Sequence, residues 1–336
     1  MRRGGYKRHA RRGPNKGTHM KTAVPFIERT REMVRIRWSD FAFVGIFVVL
    51  ILISSLVSET FFTSRNLINI SRQIVTNGLI SMGMLVVILT GGVDLSVGSI
   101  VALCGIMATG LQKQLPMPAA ILVALVVGIL VGSANGFFIA RFKLQPFIVT
   151  LATMGVVRGV TYVFSETPQT PVDPAFRALL GGGFIGPIPT ASVIMVVFFV
   201  IIWFFLNRTI PGRAVIAIGG NEEAVRLAGI NVKGHLLLAY MLCGFFAGMG
   251  GVLLASRLGI AQPSFGGGFE LDAIAAVVIG GGILGGGGGG AIGTFWGVLI
   301  LGVIDNLLNQ FNVQSYYQQI IKGLIILAAV LSRRKK

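Results

Sequence analysis

The sequence predicts an all-α polytopic membrane protein with about ten transmembrane helices. Three observations lead there. Of 336 residues, 54% are hydrophobic and only 12% are charged, where water-soluble domains carry roughly a quarter charged residues. The mean hydropathy is +0.80. The apolar residues come in long runs rather than in alternation, which excludes barrel strands and leaves helices, whose backbone groups are bonded internally, as the spanning elements.

Crossing a bilayer takes about 20 apolar residues as helix. Such runs lie at about 41–58, 68–90, 96–112, 118–140, 147–165, 191–206, 235–256, 270–286, 290–309 and 317–332. An even number of spans puts both termini on one side. The net charge of +17 decides which side: residues 1–37 hold 12 of the 29 Lys and Arg, and Arg333, Arg334, Lys335 and Lys336 close the chain. The positive-inside rule places both ends in the cytoplasm. Alternate loops agree, with Arg141, Lys143, Arg208, Arg213, Arg226 and Lys233 on the inner side, and on the outer Glu166 and Asp173 with one Arg177, then Glu270 and Asp272 against Arg257. A basic arm for nucleic acid would be over-equipped with ten spans, so no nucleic-acid partner is expected, and membrane lipid is. The stretch KGTHMK marks Met20 as an alternative first residue, so residues 1–19 carry no functional argument. The expected organisation is a basic cytoplasmic tail over 1–40, a transmembrane domain over 41–332 and a cytoplasmic loop over 207–234.

In the second span Gln73, Asn77 and Ser81 recur every four residues and so share one helical face. A neutral polar stripe suits a hydroxyl-rich cargo, since amides donate and accept; it equally suits hydrogen bonding between helices. Asp94 falls at the break between spans two and three, in LTGGVDLSVGSIVAL. Its carboxylate is placed to cap the next helix at the Ser96 or Val97 amide, while the Gly91-Gly92 break is a candidate gate. Arg158, Asp305 and Lys322 are ionisable residues inside spans; Arg158 and Lys322 are rival partners for Asp305, in a buried charge pair or a direct role in transport.

In the loop, GGNEEAVRLAGINVKGH predicts a helix of about seven residues. Asn221 is a good N-cap, Glu222 and Glu223 suit the first turn, and Gly229 is a good stop. Ala224, Val225, Leu227 and Ala228 give it an apolar surface for the bilayer or for a groove on a partner.

Nine glycines fill Gly280 to Gly290. A phosphate-cradling loop would need Lys and Ser/Thr next, but Ala291, Ile292 and Gly293 follow, so a tight cytoplasmic corner between spans eight and nine is expected. Cys104 and Cys243 lie in apolar runs as small hydrophobes. The three histidines are His9, His19 and His235, two in the tail and one at a helix start, so no His-based catalytic set assembles in the membrane. No catalytic residue, metal or cofactor is expected.

Four ordered stretches, LTGGVDLSVGSIVAL, GGNEEAVRLAGI, AQPSFGGGFELDAIAAVVIGG and SYYQQIIKGLIILAAVL, resemble the membrane permease of ribose-type ABC importers over about residues 41–332. The resemblance implies a type II importer-like fold with two related halves. It implies two kinds of partner besides a second permease chain in a homo- or heterodimer: cytoplasmic ABC ATPase subunits, and a periplasmic or lipid-anchored sugar-binding protein. It also implies that Asn221, Glu222, Glu223, Ala224, Arg226, Leu227 and Gly229 form the coupling helix to the ATPase, and that Asp94 and its glycines lie at the pathway or gate. The all-glycine run Gly285 to Gly290 departs from the family, whose corner often carries Lys or Arg. An ion-coupled secondary transporter, using Asp94 and Asp305, is the rival reading.

Overall fold

The computed structural model describes residues 43–333, so the basic tail expected over 1–40 lies outside the described residues. The described chain is helical: α1 Phe43–Val57, α2 Ser64–Leu89, α3 Val97–Gly110, α4 Met117–Phe142, α5 Pro146–Phe164, α6 Thr190–Arg208, α7 Ile210–Gly220, α8 Glu222–Leu227, α9 Val232–Leu258, α10 Phe269–Ile279, α11 Ala291–Gln310 and α12 Ser315–Arg333. A two-stranded hairpin, β1 Phe184–Ile185 with β2 Ile188–Pro189, precedes α6.

Among the described residues, six helices are long and apolar enough to cross a membrane: α2, α4, α5, α6, α9 and α11. Ten spans are expected from the sequence, and six described helices meet that length and composition. The third and eighth runs are largely apolar, yet α3 has 14 residues and α10 has 11, short of the roughly 20 a crossing needs. The run at 270–286 ends early because the chain turns at Gly280 and Gly281, the latter at φ +102°.

The bundle is organised on α2 and α9, which are mostly buried, with α4, α5 and α6 turning exposed apolar faces outward. A sheath of Leu, Val and Phe left uncovered is what a lipid solvent demands. The α4–α9 contact is close because glycines face each other: a Cβ on Gly244 would strike the Gly128 carbonyl, the small-residue packing that brings helices together within lipid. Along α2, Gly78 through Leu89 are all buried. At about 1.5 Å per residue these twelve positions make a packed segment about 18 Å long.

Candidate functional site

Polar residues gather at both ends of that packed segment. At the end near the start of α2, a cavity of about 230 Å³ is lined by Gln73 and Asn77 of α2, Asp272 of α10, Asp305 of α11, Gln318 and Lys322 of α12 and Arg257 of α9. Lys322 Nζ lies 2.9 Å from Asp272 Oδ2 and 3.1 Å from Asp305 Oδ1. Asn77 Nδ2 donates to the same Asp272 oxygen at 3.3 Å. A neighbouring cavity of about 460 Å³ shares Gln73 and Arg257 with it and adds Asn66, Asn69, Arg72, Asn306, Asn309 and Gln310. There Asn66 and Asn306 exchange amide hydrogen bonds at 2.8 and 3.2 Å. The two cavities together form a vestibule rich in carboxamides, each able to donate and accept.

The expected polar stripe is therefore divided. Gln73 and Asn77 line the inner cavity, whereas Ser81, one turn deeper, is fully buried within the packed segment. Arg158 does not reach Asp305. It donates to the backbone carbonyls of Pro263 and Phe265, the second at 2.8 Å, in the segment joining α9 to α10. Those carbonyls satisfy the guanidinium, and Lys322 holds Asp305. Asp272, Arg257 and the asparagines Asn66 and Asn306 were missed as lining residues by sequence reasoning. Extending the stripe back along α2 at helical spacing, through Asn69 and Asn66, was the available signal.

At the other end, α2 stops at Leu89 and the chain turns through Gly91, at φ +88°. Asp94 is fully buried and accepts from Ser96 at both its amide (2.9 Å) and its hydroxyl (2.6 Å). Asn135 Nδ2 of α4 donates to Ser96 Oγ at 3.0 Å. Asp94 thus closes the turn into α3. Gly91 and Gly92 border a third cavity, of about 600 Å³, whose other walls include Lys143, Tyr240, Glu222, Glu223 and Arg226.

That wall joins the break to α8. Asn221 caps α8, its Oδ1 accepting from the Ala224 amide at 2.9 Å, and the chain leaves through Gly229 at φ +80°. Val225 is buried against Ile218 and Val232, while Glu222, Ala224, Leu227 and Gly229 stay exposed. The Arg226 guanidinium bonds Glu223 through Nε at 2.9 Å and holds its carboxyl below the usual carboxylate range. Sequence reasoning missed α7, which starts where Thr209 Oγ1 accepts from the Gly212 amide at 3.1 Å, with Pro211 in its first turn. Its last turn meets the glycine corner: a Cβ on Gly219 would collide with the Leu89 carbonyl and lie 2.5 Å from Gly287 N.

Residues 66–330 match the family described as branched-chain amino acid transport system / permease component. The chain belongs to this family. The permease is similar to the ribose import permease protein RbsC of Bacillus subtilis (strain 168), 44% identical over 297 residues that cover 88% of this chain and 92% of the relative. RbsC of Escherichia coli (strain K12) is 45% identical over 86% of this chain and 92% of its own. The D-allose transport system permease protein AlsC of the same strain is 37% identical over 84% and 87%. No solved structure matches the chain. These relatives are transport permeases rather than enzymes, and the chain is a multi-pass membrane permease.

Proposed function

We propose that this permease is the transmembrane subunit of an ATP-driven ABC importer for ribose or a similar monosaccharide. The observation that carries the reading is the similarity to ribose import permeases at 44–45% identity over 92% of their length. The carboxamide-rich vestibule supports it, because a sugar's hydroxyls find both donors and acceptors there. In this reading the protein lies in the bacterial inner membrane with both termini cytoplasmic. Residues 41–332 form the transmembrane domain and 207–234 the cytoplasmic loop. ATPase subunits dock on α8, a periplasmic or lipid-anchored sugar-binding protein delivers cargo to the vestibule, and a second permease chain completes the assembly.

The mechanism follows from what each part can do. The apolar face of α8 with Leu227, anchored at its back by Val225, receives the stroke of the ATPase. Because Glu222, Glu223 and Arg226 border the same cavity as Gly91 and Gly92, movement of α8 is felt at the turn that follows α2. Asp94 keeps the start of α3 in register during that movement. Sugar entering past Gln73 and Asn77 waits on the packed part of α2 until the switch opens it. Only contacts that differ between the two states can drive that switch.

The test is ribose uptake into proteoliposomes holding the permease with its ATPase and binding protein. Uptake that requires ATP and survives ionophores supports the reading. Uptake that needs an ion gradient and no ATP overturns it in favour of a secondary transporter.

A further inference from the structure

Lys322 is shared by two carboxylates from two helices, Asp272 of α10 and Asp305 of α11. All three line the inner cavity, beside Asn77. A bridge that only fastened helices together would be packed over. Here the lysine side chain retains 19% of its exposure and the two carboxylates 10% and 11%, in a cavity that shares Gln73 and Arg257 with its carboxamide-lined neighbour. Both bonds that reach Asp272, from Lys322 and from Asn77, fall on Oδ2. Two carboxylates offer far more acceptor positions than one ammonium and one amide fill.

The charges of the lining cancel: Asp272 and Asp305 stand against Lys322 and Arg257. Such a cavity has no net pull on an ion and suits a neutral solute. Adjacent hydroxyls of a sugar present O–H donors to a carboxylate, and hydrogen bonds to an ionised acceptor are the strong kind. An empty pair of unpartnered carboxylates at this depth would be costly. Lys322 removes that cost.

We propose that Asp272 and Asp305 form a hydroxyl-binding subsite for neutral vicinal diols, with Lys322 a tethered competitor that fills it whenever the cargo is absent. The inference rests on the importer reading and adds the residues that grip the cargo. Incoming hydroxyls take acceptor positions from the ammonium, and the ammonium returns as the sugar leaves. Binding is selective yet weak, as passage requires.

The test uses the complete importer in proteoliposomes at saturating binding protein. It compares uptake of ribose with that of its 2-deoxy and 3-deoxy analogues. The same binding protein serves every permease variant, so its own preference cancels when variants are compared. Asp272→Asn and Asp305→Asn are expected to lower the preference for ribose over at least one deoxy analogue by about tenfold, the weight of one charge-assisted hydrogen bond. Lys322→Met is expected to lower both the half-saturating load and the maximal rate. Ribose and deoxy uptake that fall in equal proportion in both aspartate variants overturn the subsite and leave a fastening role. If Asp272→Asn fails to accumulate, Asp305→Asn decides alone. A wild type without ATP-driven ribose uptake overturns the importer reading itself, whereas normal wild-type uptake with unchanged preference overturns the subsite only.

Discussion

The amide of Gly287 donates to the carbonyl of Leu89 at 3.0 Å, so the glycine corner after α10 is bonded to the last residue of α2. Gly219 at the end of α7 packs into the same junction, two residues before the cap of α8. The junction joins three segments that lie far apart in the chain, and it has no room for a side chain at Gly219 or Gly287.

Substitution at the junction should therefore be sharply position-dependent. Gly219→Ala places a methyl against backbone that cannot yield, and overpacking of this kind costs about 1–3 kcal/mol. Gly220→Ala meets nothing within 4 Å and should be neutral. Thermal unfolding of the two detergent-purified variants checks this: equal midpoints would mean that the junction is loose.

On α8, exposure separates folding from coupling. Leu227 is 74% exposed and Val225 only 7%. We predict that Leu227→Asp leaves permease levels normal while ATP hydrolysis no longer yields uptake, whereas Val225→Asp reduces the amount of folded protein. Paired measurements of hydrolysis and uptake decide, and normal uptake by Leu227→Asp would remove α8 from the docking surface. Glu222→Lys, which reverses charge in the first turn, should also uncouple.

The exit from α8 gives a backbone prediction. Gly229 sits at φ +80°, a region that proline cannot enter and that costs other residues about 1–2 kcal/mol. Gly229→Pro should abolish uptake, and Gly229→Ala should reduce it mildly. Equal activity of the two variants would show that this turn does not position α8.

Asp94 should behave as a structural cap. Asp94→Ala leaves the Ser96 amide and hydroxyl without their acceptor, a loss of about 1–3 kcal/mol for buried groups. Asp94→Asn keeps an acceptor oxygen and should lose less. Denaturation midpoints of the two variants measure the difference, and a Asp94→Ala protein as stable as wild type would contradict the capping geometry.

Asn77→Leu removes both a lining amide and the hydrogen bond to Asp272. Uptake at low sugar load should fall severalfold, and unchanged uptake would assign Asn77 to helix packing.

How much of this was legible beforehand depended on range. Long helices such as α4 and α9 announce themselves by hydropathy, and α8 by Asn221 and Gly229, because caps and stops act within a turn of their own residues. The lengths of α3 and α10 were not legible: composition does not distinguish a full crossing from a short helix buried inside a bundle. Nor was the partnership of Lys322. Depth along a span suggested Arg158 as a rival for Asp305, but the choice depends on which helix lies alongside, and the Pro263 and Phe265 carbonyls claimed the arginine. Asp272 falls at the boundary between the outer segment and the run at 270–286, and the sequence does not show that it faces a cavity beside Lys322.

The packed stretch from Gly78 to Leu89 also has an electrical consequence. Were the polar cavities at its two ends filled with water from opposite sides of the bilayer, the resting potential would fall mainly over these twelve residues rather than over the full hydrocarbon thickness. A neutral solute crosses that drop without electrical work, while each elementary charge carried with it would gain or lose about 2.3 kcal/mol per 100 mV.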